Sequence, residues 1–185
     1  MRIKLAAPLQ SDSIVDGEGI RAVLWTQGCA HHCPGCHNAE TWNFDGGYWE
    51  DVDTIKKELR ALVGQDGITF SGGDPMYQIK PCLEIAKYAH EIGLNVWCYT
   101  GYTYEELLTL DDPNVMEFLE NIDVLVDGPF ILGERSLDLY FKGSRNQRVL
   151  DMKKTLQEKK AVIVSKYQDA KKIAPLYKRD KDIYV

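Results

Sequence analysis

Short apolar segments alternate with amphipathic segments along most of this chain, and this alternation constrains the fold more than any other feature. The predicted strands are four apolar runs, at residues 21–27, 68–71, 94–99 and 123–127. Helices with one apolar face are predicted between them, at residues 54–63 and 81–92, and a further helix follows Thr103. Strands joined by helical crossovers form parallel sheets, so the sequence predicts an α/β fold.

Distinctive residues follow each predicted strand. A cysteine-rich loop follows the first strand, a Gly-Gly-Asp-Pro turn at 72–75 the second, Thr100-Gly101 the third and Asp127-Gly128 the fourth. Parallel strands place their carboxyl ends at one edge of the sheet. We therefore expect these four loops to converge and to form a ligand site.

The length of 185 residues suits a single buried core, and we predict one folded domain over residues 1–150. Two weaker strands are predicted near its end, at residues 139–142 and 148–150. Residues 151–185 carry ten Lys or Arg and five Asp or Glu, whereas the whole chain has a formal net charge of −6. We interpret residues 151–185 as a basic extension whose role is open.

Composition also limits where the protein acts and what it binds. No apolar run approaches the roughly 20 residues that span a bilayer, and the first residues lack the apolar region of a secretory signal. The acidic net charge argues against a nucleic-acid surface. We predict a cytoplasmic protein with no membrane or nucleic-acid partner. Five cysteines, an odd number, argue against a disulfide framework in such a protein.

Cys29, Cys33 and Cys36 form a C-x3-C-x2-C motif, which is the strongest local signal in the chain. Three thiolates from one short loop can bind three irons of a four-iron cluster and leave the fourth iron open to a ligand. A zinc site of three cysteines and one histidine is the alternative, because three histidines lie in or beside the motif. Cys82 and Cys98 are predicted to be buried packing residues.

Gly72, Gly73 and Asp74 form a second candidate site. Two glycines let a ligand approach the backbone closely, and the Asp74 carboxylate can hold a cationic amino or sulfonium group. The structural alternative for Asp74 is a helix cap or a salt bridge within the loops.

These motifs together resemble the radical S-adenosylmethionine enzymes. Within that superfamily, D-G-E-G at 16–19, C-H-N at 36–38 and T-W at 41–42 resemble the small activases that install glycyl radicals. Four further segments are most similar to the activases of anaerobic ribonucleoside-triphosphate reductase: S-G-G-D-P at 71–75, W-C-Y-T-G-Y at 97–102, V-D-G at 126–128 and G-S-R-N-Q at 143–147. The resemblance runs from about residue 12 to residue 149.

The resemblance implies a parallel-sheet partial TIM-type barrel with a [4Fe-4S] cluster on Cys29, Cys33 and Cys36. It implies that S-adenosylmethionine binds the open iron and contacts these residues: Gly35, Cys36, His37, Gly72, Gly73, Asp74, Thr100 and Asp127. One electron from the cluster would cleave the cofactor to methionine and a 5′-deoxyadenosyl radical. That radical would take a hydrogen atom from a glycine of anaerobic ribonucleoside-triphosphate reductase, and reduced flavodoxin or ferredoxin is the implied electron donor.

Two other functions are kept as alternatives. An activase of pyruvate formate-lyase or of another glycyl-radical enzyme would share the first motifs, although the segments at 97–102 and 143–147 favour the reductase. A non-enzymatic iron–sulfur or zinc protein that senses redox state or binds a partner would not cleave S-adenosylmethionine. It would also have no use for the glycine turn at 72–74.

Overall fold

The computed structural model describes residues 1–168. Its strands are β1 (Arg2–Leu5), β2 (Gln10–Ser13), β3 (Arg21–Thr26), β4 (Tyr48–Asp51), β5 (Gly67–Gly72), β6 (Asn95–Tyr99), β7 (Val124–Asp127) and β8 (Arg148–Asp151). Its α-helices are α1 (Val52–Ala61), α2 (Ile79–Glu91), α3 (Tyr104–Leu107), α4 (Val115–Glu120) and α5 (Met152–Glu158). Short 3-10 turns occur at Ala39–Thr41, Pro75–Gln78, Leu132–Glu134 and Ser165–Tyr167.

All eight strands form one mixed sheet in the order β4-β1-β3-β5-β6-β7-β8, with β2 also paired to β3. The four central strands, β3, β5, β6 and β7, are parallel and correspond to the four predicted strands. The flanking strands are antiparallel to their neighbours. The predicted α/β fold with a central sheet is confirmed.

One detail of the predicted sheet needs correction, because residues 139–142 lie in bends and irregular structure rather than in a strand. The strand predicted at 148–150 is confirmed as β8, which runs antiparallel to β7. Strands β1, β2 and β4 were not predicted.

Alternate residues of the parallel strands face opposite sides of the sheet. Leu24, Phe70 and Cys98 are fully buried in the main core, which α1, α2 and α4 cover. On the other face, Trp97 and Val126 belong to a second, smaller cluster. The helices therefore occupy one face, and the loops that follow the strands enclose the other.

Local sequence signals explain where the helices begin. Helix α1 starts after Asp51, whose side chain caps it by accepting a hydrogen bond from the backbone N–H of Asp53 at 2.8 Å. Helix α3 begins after Thr103, as predicted, with a capping box in which the side chains of Thr103 and Glu106 each accept a hydrogen bond from the other's backbone N–H. This cap places the start of α3 directly after the loop at the end of β6.

The chain continues beyond residue 150 without a structural break. The predicted boundary falls inside β8, Met152 is fully buried in the main core, and the ring of Tyr167 lies 5.9 Å from that of Trp97. Residues 151–168 thus pack on the rest of the fold, and residues 169–185 of the predicted extension lie outside the described residues. None of the helices in residues 1–168 is long and apolar enough to cross a membrane.

Candidate cluster and cofactor site

A cavity of about 480 Å³ lies at the carboxyl ends of the parallel strands. The loops after all four strands contribute to its lining: Cys29, Cys33, Cys36, Gly72, Gly73, Asp74, Thr100, Gly101 and Gly128. The structure thus brings together the four loops that the order of the strands predicted to converge.

The three cysteines of the first loop all line this cavity and are free thiols. Burial raises the pKa of Cys29 to about 11 and also raises the pKa of Cys33. Hydrogen bonds from backbone N–H groups partly offset this and lower the pKa of both thiols. The donor is His31 for Cys29 and Phe130 for Cys33. The N–H of Asn38 donates to Cys36 Sγ at 3.4 Å. Each sulfur therefore has a backbone donor, and such donors tune an iron–sulfur cluster.

The donor set fits an iron–sulfur cluster. Within residues 1–168, no three His, Cys, Asp or Glu side chains come close enough to share one metal ion. A four-iron cluster makes a different demand, because each thiolate binds a different iron at a separate corner. Three thiols on one loop, all lining one cavity, meet that demand. The adjacent histidines make other contacts, since His31 bonds Asp74 and the His32 ring lies 4.8 Å from the Trp42 ring.

Gly72 and Gly73 bring the second loop directly against the first. Gly72 has φ +98°, a conformation that disfavours other residues, and a Cβ on Gly73 would lie 2.4 Å from the carbonyl oxygen of Gly28. The N–H of Gly73 donates to the Thr26 carbonyl at 2.7 Å, and that of Asp74 to the Gly28 carbonyl at 2.9 Å. The glycines therefore permit a backbone contact immediately before Cys29.

Asp74 connects three loops although it is almost fully buried. Its Oδ1 accepts the N–H of Met76 at 2.9 Å, which caps the short turn Pro75–Gln78. Its Oδ2 accepts from the Thr100 hydroxyl and the Gly101 N–H, each at 2.9 Å, and contacts His31 Nε2 at 2.8 Å. Asp74 thus makes the contacts of the structural alternative, a cap and a side-chain contact within the loops, while it also lines the cavity.

Known proteins with similar sequences identify the family. A family model described as a 4Fe-4S single cluster domain matches residues 15–150. A protein of Salmonella typhimurium named anaerobic ribonucleoside-triphosphate reductase-activating protein is 35% identical over 144 residues, which are 74% of this chain and 91% of the relative. Proteins with the same name are 36% identical in Escherichia coli, over the same shares of both chains, and 34% identical in Haemophilus influenzae, over 72% and 89%. This chain belongs to that family.

Among solved structures, QueE from Escherichia coli matches with a TM-score of 0.43 and 13% identity over 56% of this chain and 54% of that one. This likeness is weak and adds nothing to the family assignment, which rests on the sequence relatives.

Of the other predicted contact residues, some line the cavity and some do not. His37 and Thr100 line the cavity, with the His37 ring 5.4 Å from that of Phe130. Gly35 does not line it; this residue has φ +77°, and a Cβ there would lie 2.9 Å from a methyl group of Leu132. Gly35 thus provides a tight turn under an apolar side chain.

Asp127, another predicted contact residue, is paired within the fold. It is fully buried and is absent from the cavity lining. Its carboxylate accepts the backbone N–H of Tyr104 at 2.7 Å and forms an ion pair with the Arg148 guanidinium, whose Nε donates at 2.9 Å. Because these donors engage both oxygens, Asp127 anchors α3 and β8, and its contact with the cofactor stays a prediction.

The predicted site residues did not include Asp16 or the side chain that fixes its loop. Asp16 lines the cavity, and the adjacent loop is held by Arg21, which is fully buried. Arg21 donates to the Thr69 hydroxyl at 2.6 Å and to the Glu18 carbonyl at 3.0 Å, and burial lowers its pKa to about 10. The D-G-E-G segment at 16–19 was visible in the sequence, but its position beside the cavity was not.

Proposed function

We propose that the protein activates an anaerobic ribonucleoside-triphosphate reductase by installing a glycyl radical on it, as a radical S-adenosylmethionine enzyme. One observation carries this proposal. The three cysteines of a chain in the reductase-activating family line the same cavity as the glycine turn at 72–73. A cluster ligand set and a backbone surface open to a small ligand are therefore adjacent at the carboxyl edge of the sheet.

We assign cluster binding to Cys29, Cys33 and Cys36, and binding of the methionine end of the cofactor to the backbone of Gly72 and Gly73. When bound, the reduced [4Fe-4S] cluster and S-adenosylmethionine supply a radical that can remove a hydrogen atom from a glycine. The chain's own residues bind, orient and shield these groups. Cys29 is buried, and aromatic side chains line the cavity beside the three cysteines.

The apolar rim of the cavity is the proposed entrance for the reductase segment. Val15 and Leu139 line the cavity, and Val15 is 72% exposed. Ile14, next to Val15 in the sequence, is 71% exposed, and Leu137, two residues before Leu139, is 89% exposed. Exposed apolar groups next to a cavity suit a protein substrate, because their burial favours docking. We further propose that the sheet curves as a partial barrel and leaves this side open.

Reduced flavodoxin or ferredoxin is the proposed electron donor. Dithionite can replace this donor when the cluster is reduced in vitro. The cytoplasm is the proposed location, since the proposed donors and substrate are not membrane components.

An anaerobic assay with the reductase tests the function. The reconstituted protein is reduced with dithionite and mixed with S-adenosylmethionine and the reductase, and both 5′-deoxyadenosine and the glycyl radical signal in electron paramagnetic resonance are measured. We expect both products to appear. Cofactor cleavage without a radical on the reductase, but with one on pyruvate formate-lyase, would favour the alternative activase. Absence of cleavage by a cluster-loaded protein would favour a non-enzymatic role.

Two matched variants test the entrance. Val15→Asp should lower the yield of glycyl radical by about tenfold, because a charge in a desolvated contact disrupts docking. Val63→Asp introduces the same change at a 90% exposed residue that does not line the cavity, and it should leave the yield unchanged. Equal yields from the two variants would contradict the proposed entrance.

A further inference from the structure

His31 lies between the first two cysteines, and its side chain makes a specific contact outside its own loop. Its Nε2 lies 2.8 Å from Oδ2 of Asp74, and the two side chains are only 18% and 2% exposed. The same carboxylate oxygen accepts from Thr100 and Gly101 at the end of β6. The cysteine loop is thus attached through one imidazole to the glycine turn and to the next strand.

The imidazole ring of His31 packs closely against Tyr102 and Gly101. The ring packs edge-on against Tyr102 with centroids 4.5 Å apart, and the Tyr102 hydroxyl donates to that of Tyr77 at 3.0 Å. A Cβ on Gly101 would lie 2.5 to 2.8 Å from three atoms of the imidazole. Gly101 does not have a positive φ, so the space occupied by the His31 ring is what limits this position to glycine.

The backbone of His31 acts on the cluster loop as well. Its N–H approaches the sulfur of Cys29, while its side chain holds Asp74. One residue therefore touches a cluster ligand through its backbone and the turn at 72–74 through its ring. Removing the ring would leave all three cysteines and the backbone contact between Gly28 and Asp74 in place, but would remove the side-chain link between the cysteine loop and that turn.

We infer that His31 is a positioning residue, which fixes the cysteine loop against the Gly72-Gly73 turn and so sets the cluster in register with the methionine end of S-adenosylmethionine. This inference deepens the proposed function and rests on it. It predicts that loss of the His31 contact weakens cofactor binding to the cluster while the cluster itself still assembles.

Three variants separate the donor atom from the bulk of the ring. His31→Gln places an amide nitrogen close to the position of Nε2, His31→Asn is too short to reach Asp74, and His32→Asn is the matched control. His32 makes no hydrogen bond to Asp74, and its φ of +48° is tolerated by asparagine. Each protein is reconstituted, its iron and sulfide are measured, and the paramagnetic resonance of the reduced cluster is titrated with S-adenosylmethionine.

We expect His31→Asn to hold a full cluster but to need about tenfold more cofactor for half of the spectral change, the effect of one lost hydrogen bond to a charged group. His31→Gln should stay within about threefold of the unaltered protein, and His32→Asn should match it. A half-saturation in His31→Asn equal to that of the unaltered protein would overturn the inference, as would an equal loss in the Gln and Asn variants. If the unaltered protein showed no response to the cofactor, the proposed function itself would fail.

Gly101→Ala provides a second test that changes no residue of the cysteine loop. Its methyl group would displace the His31 ring, so the single variant should weaken cofactor binding about as much as His31→Asn. In the His31→Asn background the ring is gone, and the added methyl should have little further effect. If the two changes instead raised the half-saturating cofactor concentration by independent factors that multiply in the double variant, the inference would be overturned.

Discussion

Replacing Gly73 with alanine should destabilise the protein by about 3 kcal/mol. The added Cβ would lie 2.4 Å from the Gly28 carbonyl oxygen, and ordinary contact begins at 3.4 Å, so the turn must retreat by about 1 Å. This movement would stretch the hydrogen bonds that Gly73 and Asp74 donate at 2.7 and 2.9 Å. Each bond contributes ~0.5–1.5 kcal/mol, and the strain of overpacking adds ~1–3 kcal/mol.

Urea denaturation of the cluster-free protein, followed by circular dichroism, measures this change without any contribution from the cofactor. Gly133→Ala is the matched control, because a Cβ there meets no atom within 4 Å and the residue has no positive φ. We expect the control to stay within ~0.5 kcal/mol of the unaltered protein. A Gly73→Ala variant as stable as the control would refute the argument that Gly73 is required by the approach of the two backbones.

Three further predictions concern other parts of the molecule. Asp127→Asn should lower the free energy of unfolding by ~3 kcal/mol in urea titrations, because it leaves Arg148 without its buried partner. Glu105→Gln, at the exposed end of the same ion-pair network, should lower it by less than ~1 kcal/mol. In the cluster-free protein, alkylation of Cys29 at pH 8 should be roughly a thousandfold slower than alkylation of the fully deprotonated thiol, and its rate should increase through pH 11. Mass spectrometry follows the reaction, and a rate equal to that of free cysteine would contradict the burial of Cys29. Tyr167→Ala should cost ~3 kcal/mol through lost packing on Trp97, and an unchanged unfolding midpoint would show that residues 164–168 do not belong to the fold.

The four parallel strands could be predicted because each is a short apolar run that ends at glycine or at a polar residue. β1 and β4 could not be predicted in the same way. β4 lies at the sheet edge with its first two residues, Tyr48 and Trp49, exposed, and β1 alternates charged with apolar side chains over only four residues. The apolar residues at 139–142 suggested a strand, but Leu139 and Phe141 line the cavity instead of pairing with a neighbouring strand.

The site was predictable where its chemistry is local in sequence. The spacing of three cysteines within eight residues, and of two adjacent glycines after a predicted strand, is visible in the sequence alone. The His31 contact is different, because its partner Asp74 is 43 residues away and only the fold brings the two together. The pairing of Asp127 with Arg148, 21 residues later, is likewise made by the fold and has no signal near Asp127 in the sequence.

The most direct test of the account is paramagnetic resonance of the anaerobically reconstituted and reduced protein, recorded with and without S-adenosylmethionine. We predict a reduced four-iron signal that changes when the cofactor is added. The signal should be lost in Cys33→Ala and retained in Cys82→Ala and Cys98→Ala, whose thiols are fully buried away from the cavity. Stoichiometric zinc with no cluster signal, or a cluster that survives in Cys33→Ala, would contradict the assignment of the three-cysteine loop.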